Sequence, residues 1–283
     1  MKQFINNLSF VEFLYFLKKN KRIHIPNTSL NDDYKRKINK KFTKKNIALH
    51  ILNEKIKFPY YKNLGIKLSN LFALNELILF SYYFFNRGDY KYFLDIGANI
   101  GIHSIIASKI DFKVMSFEPD PLHFQELKKN LRINKIYNSK IFNLGIFKKK
   151  SKKFFIQVIN NTTANHIEGL KENLYGKIKK ITINTANINS FLKNSNTLIK
   201  IDAEGSEIEI LKSININKFN KHDIIMEINS INNAASVFSL CKKKKINIFS
   251  QKNLWKKSIN IADIPTHHSE GFIFLSKKNQ MPW

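Results

Sequence analysis

Acidic side chains are concentrated at the ends of short apolar runs, where their chemistry suits binding of a cation or removal of a proton. The densest group reads Lys200-Ile201-Asp202-Ala203-Glu204-Gly205-Ser206-Glu207, and a later run ends in Glu227. In an in-line displacement at a hydroxyl, the acceptor oxygen must face the reacting carbon and lose its proton as it attacks. Asp202, Glu204 and Glu227 are the carboxylates available for that proton, and Lys200 is a candidate for tuning their charge or holding an acidic acceptor.

A second group, Asp95-Ile96-Gly97-Ala98-Asn99-Ile100-Gly101, reads as a glycine-rich turn between a strand and a helix. Glycine lets the backbone come close to a ligand because no Cβ lies in the way. The spacing lacks the middle glycine of the dinucleotide pattern G-x-G-x-x-G, so a ligand without phosphates is favoured. S-adenosylmethionine fits, since its amino group and sulfonium suit an acidic strand end. A plain tight turn in which Asp95 caps the helix is the alternative.

Glu118 ends the next apolar run, in Phe117-Glu118-Pro119. A carboxylate at the tip of the second strand of such a fold accepts hydrogen bonds from the ribose hydroxyls of an adenosine ligand. The alternative is a carboxylate that interacts favourably with the N-terminus of the following helix. Asn143, at the end of the third run, is expected where adenine would lie, and a lone Asn is also common in turns.

The elements that must position these groups alternate between strand and helix from residue 92 onward. Apolar runs predict strands at 92–96, 113–117, 141–144, 198–201, 224–228 and 271–275, with helices at 102–110, after Pro121, at 206–214 and at 234–241. Repeated strand–helix units form a parallel sheet with helices on both faces. The sequence therefore predicts an α/β, Rossmann-like fold in which the carboxyl ends of the strands collect the acidic groups at one edge.

Two segments depart from this alternation. Residues 1–88 are predicted to form a mainly helical, basic N-terminal extension, with helices near 8–18 and 69–86 and a loop followed by a solvated helix between them. Residues 89–283 are predicted to form the Rossmann-like domain, with an insertion near 148–190 where strand-like segments replace the helices. Acceptor choice is expected to lie in the extension, the insertion and the loop at 260–270.

The four acidic and glycine blocks, taken in order, resemble the FkbM family of methyltransferases, whose pattern runs roughly D-x-G-A-N-x-G, F-E-P, K-I-D-x-E-G-x-E and a strand ending in E. The resemblance covers about residues 90 to 230. It implies a class I methyltransferase fold and an S-adenosylmethionine-dependent O-methyltransferase, with sugars of surface polysaccharides or hydroxyls of secondary metabolites as acceptors. The cofactor-binding candidates are Asp95, Gly97, Asn99, Gly101, Ser104, Glu118, Pro119 and Asn143.

One element departs from the family pattern. Thr185-Ala186-Asn187 has an amide where the family usually has the acid of a T-x-D element, so the sequence offers no carboxylate there for a metal or a base. No metal site is predicted. His267 and His268 precede the last strand together with Asp263, but adjacent histidines on a strand point apart, which disfavours a shared metal. His103, at a helix start, is expected at the surface.

The amino-acid composition of the chain limits the classes of binding partner that we expect. The net charge of +27 would favour polyanions, yet only four of the 48 basic residues are arginine, the residue that makes bidentate phosphate and base contacts. The accompanying abundance of Lys, Asn and Ile is typical of A/T-rich codons. Nucleic acid is therefore not the expected partner, and peripheral membrane association through the basic surface is left open.

A cytoplasmic, soluble or peripheral protein is expected from the remaining features. The single cysteine, Cys241, excludes an internal disulfide framework, and no run approaches the roughly 18 apolar residues that span a bilayer. The stretch from Phe4 to Leu17 lacks the cleavage site of a signal peptide. Three functions are weighed: an O-methyltransferase acting on a sugar or surface-glycan precursor, an RNA methyltransferase suggested by the charge, and a non-catalytic interaction protein that kept the fold.

Overall fold

The helices of the protein lie where the sequence pattern predicts them, within one or two turns. The computed structural model describes residues 9–41, 47–59, 66, 68–159, 164–170 and 177–281, so Phe4 and Ile5 lie outside the described residues. The helices are α1 (Phe10–Lys19), α2 (Ser29–Lys41), α3 (Leu68–Leu71), α4 (Leu74–Phe85), α5 (Ile102–Lys109), α6 (Pro121–Ile133), α7 (Glu207–Ser213) and α8 (Ile231–Lys244). Short 3-10 turns connect several of them.

The strands form a hairpin and two larger sheets within the described residues. They are β1 (Ile47–Ile51), β2 (Glu54–Phe58), β3 (Tyr92–Ile96), β4 (Lys113–Phe117), β5 (Lys140–Phe142), β6 (Gly145–Phe147), β7 (Ser151–Val158), β8 (His166–Ile167), β9 (Ile178–Asn187), β10 (Thr197–Ile201), β11 (His222–Glu227), β12 (Asn247–Ser250), β13 (Lys256–Lys257) and β14 (Phe272–Ser276). The β1–β2 hairpin and strands β12 and β13 were not predicted.

The main sheet has the order β13-β12-β14-β11-β10-β3-β4-β5. Strands β11, β10, β3, β4 and β5 are parallel, and β14 runs antiparallel between β11 and β12. Chain order reverses at β3, which lies between β4 and β10, and open α/β sheets bind ligands at such a switch point. Asp95 pairs in register with Lys200 and Ile96 with Ile201, so β3 and β10 end level with each other.

A four-stranded sheet of order β6-β9-β7-β8 occupies the region of the predicted insertion. Its strands β7 and β9 form a long antiparallel pair. Asp120, the N-cap of α6, ties this sheet to the main domain: its buried carboxylate accepts hydrogen bonds from Gln157 Nε2 at 2.9 Å and Asn165 Nδ2 at 2.7 Å. The insertion is thereby held beside the end of β4, where Glu118 lies.

Apolar side chains from residues 10–85 pack into the main core. Helix α1 starts at a capping box formed by Ser9 and Glu12 and buries Phe13, Leu14 and Leu17. These side chains belong to one hydrophobic cluster with α4, α5 and one face of the main sheet, while α7 and α8 cover the other face. The sheet therefore has helices on both faces, as predicted, and the N-terminal helices form part of one layer.

His24 joins this N-terminal layer to the end of the chain. Because the indole nitrogen of Trp255 is only a donor, its hydrogen bond to His24 Nδ1 at 3.0 Å leaves the proton of His24 on Nε2, which lies 3.0 Å from the carbonyl of Leu17. Burial lowers the pKa of His24 to about 4, so the ring is neutral. We call His24, Trp255 and Gln251 the His24 clasp.

Gln251 satisfies the remaining backbone groups of the clasp. Its side chain is fully buried, donates to the carbonyl of His24 and to Asn75 Oδ1, and accepts from the amide of Phe272.

Among the described residues, no helix is both long and apolar enough to cross a membrane.

We predict that Gln251→Ala lowers the free energy of unfolding by about 3 kcal/mol, since each buried polar group left without a partner costs roughly 1–3 kcal/mol. Gln125→Ala, on the exposed face of α6, is the matched control and should change it by less than about 0.5 kcal/mol. Urea denaturation measures both. Equal effects of the two substitutions would show that the clasp does not stabilise the fold.

Candidate functional site

The glycine loop after β3 packs against other parts of the protein. Gly97 and Gly101 have φ angles of +78° and +90°. A Cβ on Gly97 would lie 1.8 Å from the carbonyl oxygen of Asp202, and one on Gly101 would lie 2.3 Å from the side chain of Leu127. Sequence reasoning attributed these glycines to the approach of a ligand, whereas the structure shows that contacts within the protein already require them.

Asp95 and Ser104 form a hydrogen bond with each other beneath this loop. Ser104 Oγ donates to Asp95 Oδ2 at 2.5 Å and lies 2.7 Å from Ser116 Oγ. Both residues are fully buried, and Asp95 Oδ1 is a buried oxygen without a hydrogen-bond partner among the described residues. The pair fixes the first turn of α5 to the end of β3.

Glu118, at the tip of β4, is held by backbone amides. The amide of Asn99 donates to its Oε2 at 2.7 Å and that of Asp120 to its Oε1 at 2.8 Å. Burial raises the pKa of Glu118 to about 8, despite these two hydrogen bonds. Asn143 Nδ2 donates to the carbonyls of Glu118 and Pro119, so Asn143 braces this strand end.

A cleft opens at the switch point between β3 and β10, and we call it the glycine-loop cleft. Six of the predicted site residues line it: Gly97, Asn99, Glu118, Pro119, Asp202 and Glu204. Apolar walls come from Phe117 on β4 and from Phe155 and Ile167 on the second sheet. Asp95, Gly101, Ser104, Asn143 and Lys200 are not among the residues that line the cleft.

His123, on α6, also lines the cleft and was missed in the sequence. Its side chain is buried, Nδ1 lies 4.0 Å from Glu118 Oε1, and Nε2 has no hydrogen-bond partner among the described residues. Burial lowers its pKa, so the ring is neutral. The only sequence signal was its position in the first turn of the helix that follows Glu118.

Lys200 places a single ammonium group behind the strand ends. The residue is 2% exposed, and its Nζ lies 3.1 Å from Asp202 Oδ2. Burial acts to lower the pKa of Lys200, but the carboxylates of Asp202, Asp95 and Glu76 outweigh it and hold the pKa above its usual value. The ammonium therefore stays charged and balances the acids around it.

Glu76 lies on α4, in the N-terminal region where no catalytic pattern was visible, and its charge acts on Lys200. Its Oε2 lies 3.0 Å from Nε2 of His103, whose Nδ1 lies 3.1 Å from the hydroxyl of Tyr83. His103 is 6% exposed, so the expectation of a surface histidine is wrong: Phe80 and Tyr83 of α4 pack on its ring. Burial lowers the pKa of His103 to about 3 and raises that of Glu76 to about 7.

The acidic loop after β10 is shaped by Glu207. Its carboxylate accepts hydrogen bonds from the amides of Ala203 and Gly205, which caps the loop at the start of α7. Glu204 has a φ of +48°, a conformation uncommon for residues other than glycine and frequent at functional sites. The loop thus presents Asp202 and Glu204 towards the cleft.

A second cavity of about 830 Å³ adjoins the first, and Glu204 lines both. We call it the amide basin because four asparagines are among its twelve described lining residues. Its lining includes Asn70, Asn229, Ser230, Asn232, Asn233 and His267. Glu227 lies in the same basin, and burial, followed by the charges of Asp202 and Glu204, raises its pKa well above the usual value.

The remaining candidates have local structural contacts. The rings of His267 and His268 lie 3.9 Å apart, and Asp263 accepts hydrogen bonds from the amides of Ile259 and Asn260. In the described part of the chain, no group of three or more His, Cys, Asp or Glu is arranged to hold a metal. Asn187, where the family has an acid, accepts a hydrogen bond from the amide of Asn189 and caps a 3-10 turn.

The sheet order, with β14 antiparallel beside the last parallel strand, and the acidic cleft at its switch point define a class I methyltransferase. Residues 95–245, more than half of the chain, match the Methyltransferase FkbM domain, and the protein belongs to that family. The resemblance deduced from the four sequence blocks is therefore confirmed. A search of curated proteins finds no match.

Solved structures with a similar fold are distant. An FkbM methyltransferase from Methylobacillus flagellatus is 17% identical with a TM-score of 0.42, and the match covers 73% of this chain and 52% of that one. The present chain thus spans about half the length of that protein. SMU.1697c from Streptococcus mutans, solved in complex with SAH, is 10% identical with a TM-score of 0.40 and coverages of 70% and 96%.

We predict that Gly97→Ala disrupts folding of the site, whereas Gly169→Ala does not. Both glycines have a φ near +80°, but a Cβ on Gly169 would have no atom of the described residues within 4 Å, while one on Gly97 overlaps the Asp202 carbonyl. Both variants carry the same backbone strain of roughly 1–2 kcal/mol from the positive φ. The difference in stability between them therefore measures the overlap of the Cβ with the Asp202 carbonyl. Thermal unfolding measures it, and a melting temperature equally lowered in both variants would contradict the packing role.

Proposed function

We propose that the protein is an S-adenosylmethionine-dependent O-methyltransferase that acts on a hydroxyl of a sugar or surface-glycan precursor. The observation that carries the proposal is the position of Glu204, which lines both the glycine-loop cleft and the amide basin. One cavity suits a methyl donor and the other an acceptor, and a carboxylate stands where they meet.

The residues of the glycine-loop cleft fit S-adenosylmethionine. The carboxylates of Glu118, Asp202 and Glu204 line it, and the described lining residues include no Lys or Arg. Such a lining suits a cationic ligand without phosphates. Buried polar atoms without a partner, His123 Nε2 and Ser206 Oγ, also lie in residues of this lining. Glu118 would accept hydrogen bonds from the ribose hydroxyls, and the apolar walls would contact the adenine.

The amide basin fits a neutral, polyhydroxylated acceptor. Amide and hydroxyl side chains donate and accept hydrogen bonds without a net charge, which matches the many hydroxyl groups of a sugar. In the described residues that line the basin there is no Lys or Arg, so a phosphate backbone would find no positive partner there. This argues for a sugar over RNA, despite the net charge of +27.

The carboxylates at the junction differ in what they can do. S-adenosylmethionine supplies an electrophilic methyl group on its sulfonium. Asp202 is engaged by the Lys200 ammonium, and burial raises the pKa of Glu227 well above its usual value, which favours the protonated form and suits Glu227 to donate a hydrogen bond to the acceptor. Glu204 is then the carboxylate that takes the hydroxyl proton during attack, with Glu227 orienting the acceptor.

We predict that Glu204→Gln lowers methyl transfer by about 100-fold or more, the usual contribution of a general base, while S-adenosylmethionine still binds. The assay is transfer of radioactive methyl from S-adenosylmethionine to nucleotide sugars and surface glycans, with total RNA as the competing acceptor. Glu126→Gln, a surface residue of α6 paired with Lys129, is the control with unchanged activity. Transfer to RNA alone, weakening steeply with salt, would replace the sugar hypothesis.

We also predict that the affinity for S-adenosylhomocysteine, which has the same ribose, rises with pH up to about 8 and then levels off. Glu118 must be ionised to accept hydrogen bonds from two ribose hydroxyls, and burial raises its pKa to about 8. Below that pH, binding must release the proton, and the affinity falls by up to about tenfold per pH unit. Calorimetric titration at several pH values measures the slope, and Glu118→Gln should remove it. A flat profile in the unmodified protein would disprove this role of Glu118.

A further inference from the structure

The carboxylate of Glu118 can accept more hydrogen bonds than the described residues donate to it. Each of its oxygens accepts one from a backbone amide, that of Asp120 on Oε1 and that of Asn99 on Oε2. An ionised carboxylate offers about four lone-pair positions, so roughly two remain. Because Glu118 lines the glycine-loop cleft, these two positions are available to the two hydroxyls of a ribose.

His123 places a ring nitrogen near this carboxylate. The residue lies in the first turn of α6, lines the same cleft and is 3% exposed. Its Nδ1 lies 4.0 Å from Glu118 Oε1, which is too far for a direct hydrogen bond. A hydroxyl oxygen about 2.8 Å from both atoms would have them at an angle of roughly 90°, so one hydroxyl can contact both side chains.

The surroundings of the imidazole assign its proton to Nδ1. Burial lowers the pKa of His123, so the ring is neutral and has one N–H. Nε2 is buried without a hydrogen-bond partner among the described residues, and a proton there would make it an unpaired donor. Buried N–H groups without a partner are rarer in proteins than buried acceptors without one. Nδ1 is also the nitrogen near Glu118, whose ionised carboxylate favours an N–H on that side.

We propose that His123 is a second ribose ligand of the methyl donor: its Nδ1–H donates to the oxygen of one ribose hydroxyl, and the same hydroxyl donates to Glu118. The inference rests on the proposed function, because it assumes that S-adenosylmethionine occupies the glycine-loop cleft. A hydroxyl donates one hydrogen bond and accepts others, so it satisfies both side chains at once. The second ribose hydroxyl donates to the other oxygen of Glu118, and the two hydroxyls therefore contribute unequally to binding.

Removing either member of the pair tests the contact. Calorimetric titration into the full chain compares S-adenosylhomocysteine with two analogues that each lack one ribose hydroxyl. His123→Phe keeps a ring without an N–H, and we expect it to weaken binding of S-adenosylhomocysteine by about three- to tenfold, the range for one neutral hydrogen bond. For the analogue without the hydroxyl that contacts His123, the same substitution should change the affinity by less than about twofold. For the other analogue the loss should match that of S-adenosylhomocysteine.

Amide substitutions identify the nitrogen that acts. The side-chain nitrogen of Asn can lie close to the position of Nδ1 in histidine, and that of Gln close to the position of Nε2. His123→Asn should therefore retain most of the affinity for S-adenosylhomocysteine, while His123→Gln should behave like His123→Phe. A merely structural role of the imidazole would not produce this order. His50→Phe, at an exposed position of β1, is the matched control and should leave all three affinities unchanged.

The outcomes separate the inference from the proposed function. If S-adenosylhomocysteine does not bind the unmodified protein, the cofactor assignment itself fails. If it binds, and a folded His123→Phe weakens all three ligands equally or none of them, the cofactor assignment stands and the ribose contact of His123 is wrong. Rescue by His123→Gln and not by His123→Asn would overturn the assignment to Nδ1.

A crystal structure of the unmodified protein with S-adenosylhomocysteine tests the contact even if the variants fail to fold. We expect one ribose hydroxyl within about 3.2 Å of both His123 Nδ1 and a carboxylate oxygen of Glu118. A ribose bound to Glu118 with both hydroxyls out of reach of His123 would overturn the inference and leave the cofactor assignment intact.

Discussion

The site depends on the attraction between the buried ammonium of Lys200 and the carboxylates around it. Carboxylates placed together at low exposure repel one another, and removing one partner from a buried charge pair costs several kcal/mol. Lys200 lies opposite Asp95 in the sheet and 3.1 Å from Asp202, so one cation offsets acids from two neighbouring strands. The parallel register makes this possible, because it brings both strand ends to the same level. Without that ammonium, Glu76 and Glu227 would face still stronger repulsion.

Around this charge pair, contacts between loops hold the parts of the site in place. The glycine loop rests on the carbonyl of Asp202, and Glu207 caps the loop that presents Glu204. Asp120 ties the second sheet to the start of α6, which lets Phe155 and Ile167 form a wall of the cleft. A single backbone arrangement therefore sets the distance between the two cavities that meet at Glu204.

The sequence predicted the parts of the site that are local in the chain. Apolar runs with acids at their ends identified β3, β4, β10 and β11, and sheet geometry then placed their tips together. Glu76 was missed because its position in α4 shows no pattern, and only tertiary packing brings it to His103. His103 was misplaced for the same reason. The β1–β2 hairpin escaped because Glu54–Phe58 alternates over only five residues, several of them lysine or glutamate. Both glycines stood out in the sequence, but the contacts that require them are distant in the chain: the Asp202 carbonyl, 105 positions after Gly97, and the Leu127 side chain beside Gly101.

The His24 clasp bears on the order in which the chain becomes structured during synthesis. Its two halves, His24 and Trp255, are separated by 231 positions, so the partner of His24 leaves the ribosome long after His24 itself. Until then the carbonyl and Nδ1 of His24 lack the partners that Gln251 and Trp255 supply in the folded protein. Contacts of such long sequence separation form late, because the intervening chain must first be ordered. The layer that contains α1 is therefore completed only after Trp255 has been made, and a nascent chain that ends before Trp255 exposes that layer to chaperones and proteases.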